Sequence, residues 1–454
     1  MCYFFTTETR RTMELTKKKN YLKVKYTYKT VIMKTSRRKF LATGIAGGIA
    51  AAMPLSSCSS PSKNVDYSKL DAILKQPVFK KEFFPSPVII ETLELLRYDN
   101  NFLCRVRSKD GAEGISAGHS VQLRSQYPIF VNLLQPFFIG KDARELDFIL
   151  ERVLVYKLNF RMGGIAIGVP LAAIEKAILD MMGRIANKSL GELIGKIYNP
   201  EVAIYQATEF RDRPVEESIE LIKKAVEQNK ARALKIKVGT LMYETTDMYA
   251  VGPAGRTEKI IPEISKLYGD KLTLYADANG FFGVDEAIRV GKLLEEHNFK
   301  FFEEPVPFDW YEETKQVADA LKMPVAGGEQ EYSLHGFRWL IANNGLEVVQ
   351  PDTNYFGGLI RCMKVALMAN ALGKGCTPHI SGGDLGYLYM MHFVSAIPNA
   401  LPFHEFKGFR TNVVFECKTS SLTSVDGMVK VPTGPGLGID IDPEYVKKHE
   451  VVKI

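Results

Sequence analysis

Three acidic residues follow short apolar segments at equal spacing along the chain. Asp277 ends "LTLYAD", Glu303 ends "FKFFE" and Glu329 follows "PVAGG", with 26 residues from each to the next. Carboxylates brought together in this way would repel one another unless a positive charge lay between them. Oxygen ligands without cysteine suit Mg²⁺ or a similar hard cation. The spacing therefore predicts a site for one divalent cation.

Two lysines in another apolar segment are candidates for acid–base chemistry. Lys235 and Lys237 lie two apart in "ALKIKVG", so in a strand both side chains point to one face. The other face would present Leu234, Ile236 and Val238 to covering helices. Adjacent ammonium groups lower each other's pKa, which favours a neutral amine able to accept a proton. A solvated lysine pair is the alternative, but the apolar neighbours argue against it.

A histidine and two further acidic residues lie in later apolar segments. Asp352 ends "LEVVQPD", His379 lies in "GCTPHIS" and Glu405 in "ALPFHEF". Asp352 could hydrogen-bond one ring nitrogen of His379 and direct the other toward a shared centre. Glu405, if protonated, could donate a hydrogen bond to a developing oxyanion. A buried ion pair between Glu405 and the adjacent His404 is equally compatible with the sequence.

The elements that would position these side chains repeat with one period. Seven apolar segments carry the polar residues, at 233–239, 272–280, 299–305, 324–330, 346–352, 375–381 and 400–406. Their spacing of 23 to 40 residues matches a strand, a helix and two loops. With a further strand at 201–209, eight strands fit a closed α/β barrel. The C-terminal strand ends of such a barrel converge on one face, where barrel enzymes build their sites.

Residues 77–200 show a different pattern and are predicted to form a separate α+β unit. Strand-like segments flank a hairpin turn at Lys109-Asp110-Gly111. A helical pattern then starts near Pro170, with one apolar face formed by Leu171, Ile174, Ile178 and Met181. Strands followed by helices indicate an α+β unit rather than another βα repeat.

Composition gives no support to a nucleic-acid-binding protein or to a protein built on disulfides or zinc. The 454-residue chain is 46% apolar, enough for a large core and more than one domain. Residues 1–58 hold twelve of the 59 basic residues and two of the 52 acidic ones, so residues 59–454 carry a net charge of −3. This nearly neutral body gives no reason to expect a nucleic-acid partner. Six scattered cysteines without C-x-x-C spacing predict neither a disulfide framework nor a zinc site.

The basic N-terminal region, residues 1–58, is predicted to be an export signal. Arg37 and Arg38 precede an apolar stretch from Leu41 to Met53, and the arginine pair resembles a twin-arginine signal. The apolar stretch is too short to span a bilayer comfortably. A membrane-anchoring segment is the alternative interpretation.

The end of this region resembles a lipoprotein cleavage box. In "LSSC" the cysteine is Cys58, which would carry a lipid anchor, and residues 59–76 would form a tether. The protein would then be periplasmic or anchored to a membrane through this lipid. We hypothesise that translation starts at Met33, in which case residues 1–32 are not translated.

The ordered motifs resemble the enolase superfamily, specifically its mandelate racemase-like branch. They are K-x-K at 235–237, D-A-N at 277–279, E-E-P at 303–305, G-E at 328–329, P-D at 351–352 and the late histidine. The resemblance covers residues 77–440 approximately. Asp352 stands where the muconate-cycloisomerase and dipeptide-epimerase branch would carry a lysine, and this selects the mandelate racemase-like branch.

The resemblance implies both the fold and the metal site. The fold would be a (β/α)7β TIM-like barrel over residues 201–409, with an N-terminal α+β capping domain over residues 77–200. The C-terminal tail, residues 410–454, would join the capping domain. One Mg²⁺ per active site would be bound by Asp277, Glu303 and Glu329. The family's E-E-P pattern selects Glu303 rather than Glu304 as the ligand.

The resemblance also implies roles in acid–base chemistry. Lys237 would be one acid/base, while Lys235 tunes it and touches the substrate carboxylate. His379, paired with Asp352, would be the other acid/base, on the opposite face of the substrate. Asn279 would face the substrate as well. The capping-domain loops at residues 114–120 and 158–168 are expected to determine specificity.

The reaction implied is removal of a proton α to a carboxylate, through an enediolate that Mg²⁺ stabilises. We favour dehydration of a sugar acid to a 2-keto-3-deoxy acid, because polar sugar acids are common substrates of this branch. Racemisation or epimerisation of a 2-hydroxy acid needs the same residues and is the alternative. A non-catalytic acid-sugar-binding lipoprotein is an alternative of another class, but a binder needs neither a lysine pair nor an Asp–His dyad. The expected partners are a small carboxylate substrate and further copies of the chain in a homo-oligomer.

Overall fold

A computed structural model describes residues 15–18, 21–24, 65–240, 252–409 and 413–453. The chain divides into two units, Met1–Asn64 and Val65–Ile454. In the first unit, strands β1 (Leu15–Lys18) and β2 (Tyr21–Val24) pair in an antiparallel hairpin. The apolar stretch of the predicted export signal and the proposed anchor at Cys58 lie outside the described residues. Among the helices that are described, none has the length and apolar character needed to cross a bilayer.

The second unit begins with a helix inside the segment predicted to be a tether. Helix α1 (Ser68–Leu74) places Leu70 and Leu74 four residues apart, and Leu70 is buried. Asp71 pairs with Arg338, and the Leu74 carbonyl accepts a hydrogen bond from Lys364 Nζ. Residues 68–74 are therefore packed against the body, and the tether prediction is wrong for them.

An antiparallel sheet and a set of helices make up residues 90–194. The strands are β3 (Ile90–Tyr98), β4 (Asn101–Ser108) and β5 (Glu113–Ala117), and the helices are α2 (Ser120–Ile129), α3 (Gln135–Phe138), α4 (Leu146–Val155), α5 (Ile165–Ala186) and α6 (Leu190–Ile194). The predicted hairpin between β4 and β5 is confirmed, and Gly111 adopts a positive φ of 86° in its turn. Helix α5 starts at Ile165, five residues before the predicted start at Pro170. Its predicted apolar face is buried.

Eight parallel strands follow. They are β6 (Glu201–Ala207), β7 (Ala233–Lys237), β8 (Thr273–Asp277), β9 (Phe302–Glu303), β10 (Val325–Gly327), β11 (Val348–Val349), β12 (Gly375–Cys376) and β13 (His404–Phe406). They are hydrogen-bonded in chain order, and β13 returns to pair with β6. Between β12 and β13 the curled sheet is joined by backbone hydrogen bonds from Cys376 N to Asn399 O (2.9 Å) and from Leu401 N to Cys376 O (3.0 Å). The predicted barrel is confirmed.

Helices alternate with these strands and cover the outside of the barrel. They are α7 (Val215–Asn229), α8 (Arg256–Tyr268), α9 (Val284–Glu296), α10 (Tyr311–Ala320), α11 (Leu334–Ala342), α12 (Leu359–Ala371) and α13 (Gly383–Ala396). Leu234, Ile236 and Val238 of β7 pack in the same cluster as apolar residues of α7 to α9. The alternate positions of the strands face inward, as the spacing of the lysines predicted.

The inside of the barrel is filled below the polar strand ends. Tyr275 and Phe301 stack with ring centroids 3.9 Å apart, and Tyr205 meets the edge of the Tyr275 ring. Tyr275 and Phe301 lie two residues before Asp277 and Glu303, and therefore on the same strand faces as these carboxylates. Tyr205 lies on β6, one strand away from Lys235 on β7. The aromatic layer therefore closes the barrel and leaves the polar groups at its C-terminal end.

The C-terminal segment returns to both sheets. Its elements are β14 (Phe415–Glu416), β15 (Met428–Lys430), β16 (Asp440–Ile441), α14 (Pro443–Lys447) and β17 (Glu450–Val451). Strand β15 pairs with β6 of the barrel, whereas β17 pairs with β3 of the antiparallel sheet. Asp180 of α5 accepts hydrogen bonds from Ile115 N and Leu437 N, so one buried carboxylate links helix, sheet and tail.

Helix α5 approaches the barrel so closely that one position admits only glycine. A Cβ atom at Gly168 would lie 1.9 Å from the carbonyl oxygen of Tyr355. We expect Gly168→Ala to lower the free energy of unfolding by about 2 kcal/mol, because the backbone clash outweighs the roughly 1 kcal/mol that alanine gains in a helix. Urea denaturation measures the change. Gly283→Ala is the matched control, since nothing lies within 4 Å of its Cβ position. Equal midpoints for the two variants would contradict this close packing.

Candidate active site

The three predicted metal ligands come together at the C-terminal end of the barrel. Asp277 ends β8, Glu303 ends β9 and Glu329 follows β10 by two residues. Each offers one carboxylate oxygen, and the three oxygens lie within 4.8 Å of one another. All three side chains are buried. Consecutive strands thus bring the carboxylates together, as their spacing predicted.

The two lysines of β7 pair with two members of this acidic group. Lys235 Nζ donates to both oxygens of Glu303, at 2.8 and 2.7 Å, and Lys237 Nζ contacts Asp277. Burial lowers the pKa of Lys235, but the charges of Glu303 and Glu405 outweigh it and hold this pKa well above its ordinary value. The prediction that paired ammonium groups lower each other's pKa is therefore wrong for Lys235. In this arrangement its carboxylate neighbours matter more than the neighbouring lysine.

The pKa values of Asp277 and Glu303 shift in opposite directions. Burial raises the pKa of Asp277, but the charges of Lys237 and Lys235 lower it well below its ordinary value. Burial and the Asp277 charge raise the pKa of Glu303 to about 8, against the effect of Lys235. The charge of the cluster is therefore not fully balanced by the lysines.

Asn279 holds Lys237 from the side of the cavity. Its side-chain oxygen accepts hydrogen bonds from Lys237 Nζ and from Arg211, both at 2.7 Å. Asn279 has a positive φ of 46°, a conformation that asparagine tolerates better than most residues. Its amide nitrogen lies 3.4 Å from Glu329 Oε1. The residue that was predicted to face the substrate thus also orients an acid/base candidate.

His379 and Asp352 form the predicted dyad. His379 Nδ1 lies 2.8 Å from Asp352 Oδ2, and its Nε2 lies 3.5 Å from Glu329 Oε2. Asp352 Oδ1 accepts hydrogen bonds from the backbone N–H groups of Asn354 and Tyr355. Burial lowers the pKa of His379, but the charges of Glu329 and Glu405 and the bond to Asp352 raise it to about 9. Asp352 therefore fixes the ring so that Nε2 points to the acidic group.

The surroundings of Glu405 lower its pKa, which argues against its predicted role as a protonated donor. Burial raises its pKa, but the charges of Lys235, Lys407 and His379 lower it well below its ordinary value. Glu405 Oε2 accepts a hydrogen bond from Ile380 N at 2.9 Å. The alternative ion pair with His404 is not formed either. Burial lowers the pKa of His404 to about 3, and its Nδ1 contacts Thr377 Oγ1.

The acidic group has the chemistry that a divalent cation requires. Its donors are carboxylate oxygens alone, the ligands that Mg²⁺ prefers. Glu329 Oε2 is buried and accepts no hydrogen bond, which is costly for a carboxylate oxygen, and His379 Nε2 lies 3.5 Å from it. An ion between the three carboxylates would coordinate this oxygen directly. The residues present therefore fit Mg²⁺.

A cavity of about 230 Å³ opens beside these groups. It is lined by His119, Glu209, Lys237, Asn279, Glu329, Gln330, Tyr355, His379, Ile380, Ser381, Gly382 and Lys407. The loop at 114–120, which was expected to determine specificity, contributes His119, whose ring stacks on Tyr355. Residues 158–168 are absent from this lining and instead line a neighbouring cavity of about 410 Å³ that shares Tyr355. Lys235, which was predicted to touch the substrate carboxylate, is buried and is not among the residues that line this cavity.

Sequence reasoning missed two cations of the site, Arg211 and Lys407. Arg211 follows β6 and binds Asn279, and no regular spacing marks it because it lies four residues beyond the strand. Lys407 lies 2.7 Å from Glu209 and 3.4 Å from Glu405. The alternation that identified the lysine pair of β7 would also have found Lys407, two residues after Glu405.

Two family models match the chain. The model described as "Enolase C-terminal domain-like" matches residues 217–446, about half of the chain. The N-terminal domain of the mandelate racemase / muconate lactonizing enzyme family matches residues 88–195. These ranges correspond to the barrel and to the antiparallel sheet with its helices.

Curated relatives and solved structures agree with these matches. The arabinonate dehydratase of Saccharolobus solfataricus is 24% identical, over 68% of this chain and 79% of its own length. The D-galactonate dehydratase of Pectobacterium atrosepticum is 25% identical, over 70% of this chain and 82% of its own length.

Among solved structures, one from Roseobacter denitrificans is 30% identical, with a TM-score of 0.71, and the match covers 81% of this chain and all of the other. A mandelate racemase/muconate lactonizing protein of Paracoccus denitrificans, complexed with magnesium, is 25% identical with a TM-score of 0.71, over 81% of this chain and 99% of the other. Together with the family models and the barrel geometry, these matches show that the chain is an enzyme of lyase or isomerase type and belongs to the mandelate racemase-like branch of the enolase superfamily.

Proposed function

We propose that this enzyme removes the proton α to the carboxylate of a sugar acid and then eliminates the β-hydroxyl group, giving a 2-keto-3-deoxy acid. One observation carries the proposal. Three buried carboxylates suited to Mg²⁺ lie between Lys237 on β7 and the Asp352–His379 dyad after β11 and β12. Both acid/base candidates line the same cavity. A substrate whose carboxylate lies at the acidic group would have its α-carbon within their reach.

The positions of Lys237 and His379 around the barrel support a two-sided reaction. The metal-ligand candidates come from β8 to β10, whereas Lys237 comes from the strand before them and His379 follows β12, beyond them. The two groups therefore approach from the two ends of the arc of ligands. One group removes the α-proton, and the other gives a proton to the departing hydroxyl, which leaves as water. The enol product then becomes the 2-keto acid.

Asp277, Glu303 and Glu329 would hold Mg²⁺, and the ring of His379 would be kept in one orientation by Asp352. When bound, the ion stabilises the negative charge that develops on the substrate carboxylate as the α-proton leaves. Lys237 is held toward the cavity by Asn279. The ring of His379 can turn little, because Asp352 is itself fixed by two backbone N–H groups.

The composition of the cavity lining favours a polyhydroxylated substrate. Glu209, Gln330, Ser381 and Lys407 add hydrogen-bonding groups to the wall, beyond those that the chemistry needs. Such groups suit the hydroxyls of an aldonic acid better than an aromatic ring. The names of two relatives, arabinonate dehydratase and D-galactonate dehydratase, agree with this class of substrate.

A second candidate reaction is racemisation or epimerisation at the α-carbon. The observation that favours it is the same pair of groups, since a proton removed by one could be returned by the other to the opposite face. The two reactions differ in whether the β-hydroxyl is lost.

Incubation with a panel of aldonic acids in D₂O with Mg²⁺ tests the proposal. The panel includes arabinonate and galactonate in both enantiomeric forms. We expect at least one member to give a 2-keto acid that reacts with semicarbazide, with deuterium at C3. Recovery of substrate with deuterium at the α-carbon and no keto acid would favour the racemase. A panel in which neither signal rises above that of a Lys237→Ala, His379→Asn double variant would contradict both reactions.

A further inference from the structure

A buried lysine of the capping helix lies apart from the chemistry described above. Lys176 is in the middle of α5, and its side chain is fully buried. The helix positions around it, such as Ala173 and Ala177, are apolar and buried too. An ammonium group without compensation in such surroundings costs several kcal/mol. The contacts that compensate it therefore indicate what the lysine does.

Those contacts are few and specific. Lys176 Nζ donates to Asn354 Oδ1 at 2.5 Å and lies 4.2 Å from the centre of the Tyr389 ring. The adjacent Glu175 accepts from the N–H groups of Leu359 and Ile360 at the start of α12, so its oxygens are already engaged. Among the described residues, no carboxylate oxygen lies within 4.0 Å of Lys176 Nζ. The hydrogen bond to Asn354 is thus its principal polar contact.

Asn354 connects this lysine to the dyad. Its amide nitrogen donates to the carbonyl oxygen of Ser381 at 2.9 Å, and its backbone N–H donates to Asp352 Oδ1 at 2.7 Å. Ser381 Oγ donates to the same Asp352 oxygen at 2.9 Å. The other oxygen of Asp352 meets His379 Nδ1. An unbroken series of hydrogen bonds therefore runs from the capping helix to the catalytic ring.

The chemistry of a lysine determines which end of the Asn354 amide faces Lys176. An ammonium group has three donors and no acceptor, so it binds the oxygen end of the Asn354 amide and not its nitrogen. The amide nitrogen must then point to Ser381. An apolar residue at position 176 would leave a buried amide oxygen without a partner and would remove the reason for this orientation.

We infer that Lys176 is a positioning residue, which orients the Asp352–His379 dyad through Asn354 and Ser381. The proposal deepens the proposed function, and its catalytic consequence rests on it. Burial lowers the pKa of Lys176 to about 8, while the charges of Asp352 and Glu175 act in the opposite direction, as expected for a cation that faces the dyad. The capping helix thereby supports one acid/base group of the barrel as well as covering the site.

The position of His379 can be measured without turnover. The chain has seven histidines, so ¹⁵N-histidine labelling of the full chain gives few ring signals, and His379→Asn assigns the relevant one. We expect Lys176→Met and Asn354→Ala to move or split the His379 ring signal in the same way. The matched control is Lys364→Met, since Lys364 is also a buried lysine whose Nζ binds a single backbone carbonyl, that of Leu74. It should leave this signal unchanged.

The kinetic arm uses the aldonic acid that gives the highest turnover with Mg²⁺. We expect Lys176→Met to lower kcat by about tenfold to a hundredfold, as for other partners that orient a reacting group, while KM changes little. Because Lys176 and Asn354 act in one series, the double variant should lose no more than the worse single variant. Lys176→Gln, which keeps a donor for Asn354, should recover part of the loss.

Three results would overturn the inference. They are an unchanged His379 signal in Lys176→Met, additive losses in the double variant, and a loss in Lys364→Met equal to that in Lys176→Met. If Lys176→Met does not fold, Asn354→Ala and Lys176→Gln carry the same test, and unchanged His379 signals in both overturn it. If no acid on the panel is turned over, the proposed function fails, but the ring signal still decides whether Lys176 positions the dyad.

Discussion

Replacement of Glu303 by glutamine is expected to weaken Mg²⁺ binding by at least a hundredfold and to lower kcat/KM by about a thousandfold or more. Glutamine keeps the size of the side chain but removes one of the three charges that surround the ion. Stabilisation by a bound metal is worth several kcal/mol in the transition state, and about 1.4 kcal/mol corresponds to a factor of ten in rate. Titration calorimetry with Mg²⁺ measures the first effect, and the keto-acid assay the second.

Glu304→Gln is the matched control for this experiment. Glu304 is also buried and adjacent in sequence, but it is not among the residues whose oxygens come within 4.8 Å of one another. Glu303 points to Lys235 and Gln350 inside the barrel, whereas Glu304 adopts a positive φ of 39° where β9 ends. We expect the control to lose less than tenfold in Mg²⁺ affinity. Equal losses in both variants would show that Glu303 is not distinguished as a ligand.

The regular spacing of the apolar segments predicted the barrel, because each parallel strand needs a helix and two loops before the next strand can begin. A strand that is buried on both sides must be apolar, so the polar residue where it ends stands out. Asp277, Glu303 and Glu329 were recognisable for this reason, and the structure places them together. The alternation within β7 predicted that Lys235 and Lys237 share a face. Local rules were sufficient wherever a regular element determines the direction of a side chain.

The charge states could not be predicted in the same way, because they depend on neighbours from distant parts of the chain. Lys235 keeps its proton because Glu303 and Glu405 come from other strands. The pKa of Glu405 is lowered because Lys235 and Lys407 lie beside it. In sequence, the partners of Lys235 are 68 and 170 residues away. Reasoning from the two neighbouring lysines alone therefore predicted a lowered pKa for Lys235, whereas its pKa is raised.

Residues that act through irregular loops were also outside the reach of periodicity. Arg211 reaches Asn279 from the loop after β6, and Asn354 reaches Lys176 from the loop after β11. Neither loop carries a spacing that tells which way a side chain points. Helix α1 was missed for a different reason, because a helix of only seven residues resembles a linker until its partner surface is known.

The second large effect is expected from the two acid/base candidates, each of which should act on one face of the substrate. Lys237→Ala is expected to lower α-proton exchange from one C2 epimer of the substrate by about 10²- to 10⁴-fold, the range for loss of general acid–base catalysis. His379→Asn should do the same to the other C2 epimer. Nuclear magnetic resonance in D₂O with each epimer separately measures both rates. The epimer that a given variant still exchanges is its internal control for folding.

Mg²⁺ affinity decides whether these losses belong to proton transfer. Lys237 contacts Asp277, so its removal takes a competing cation away from a ligand and should leave Mg²⁺ binding intact or slightly tighter. His379 lies 3.5 Å from Glu329 and should behave in the same way. A large loss of metal binding in Lys237→Ala would assign the lysine to the metal site instead. Loss of exchange from the same C2 epimer in both variants would place Lys237 and His379 on one side of the substrate, and the two-sided reaction would then be untenable.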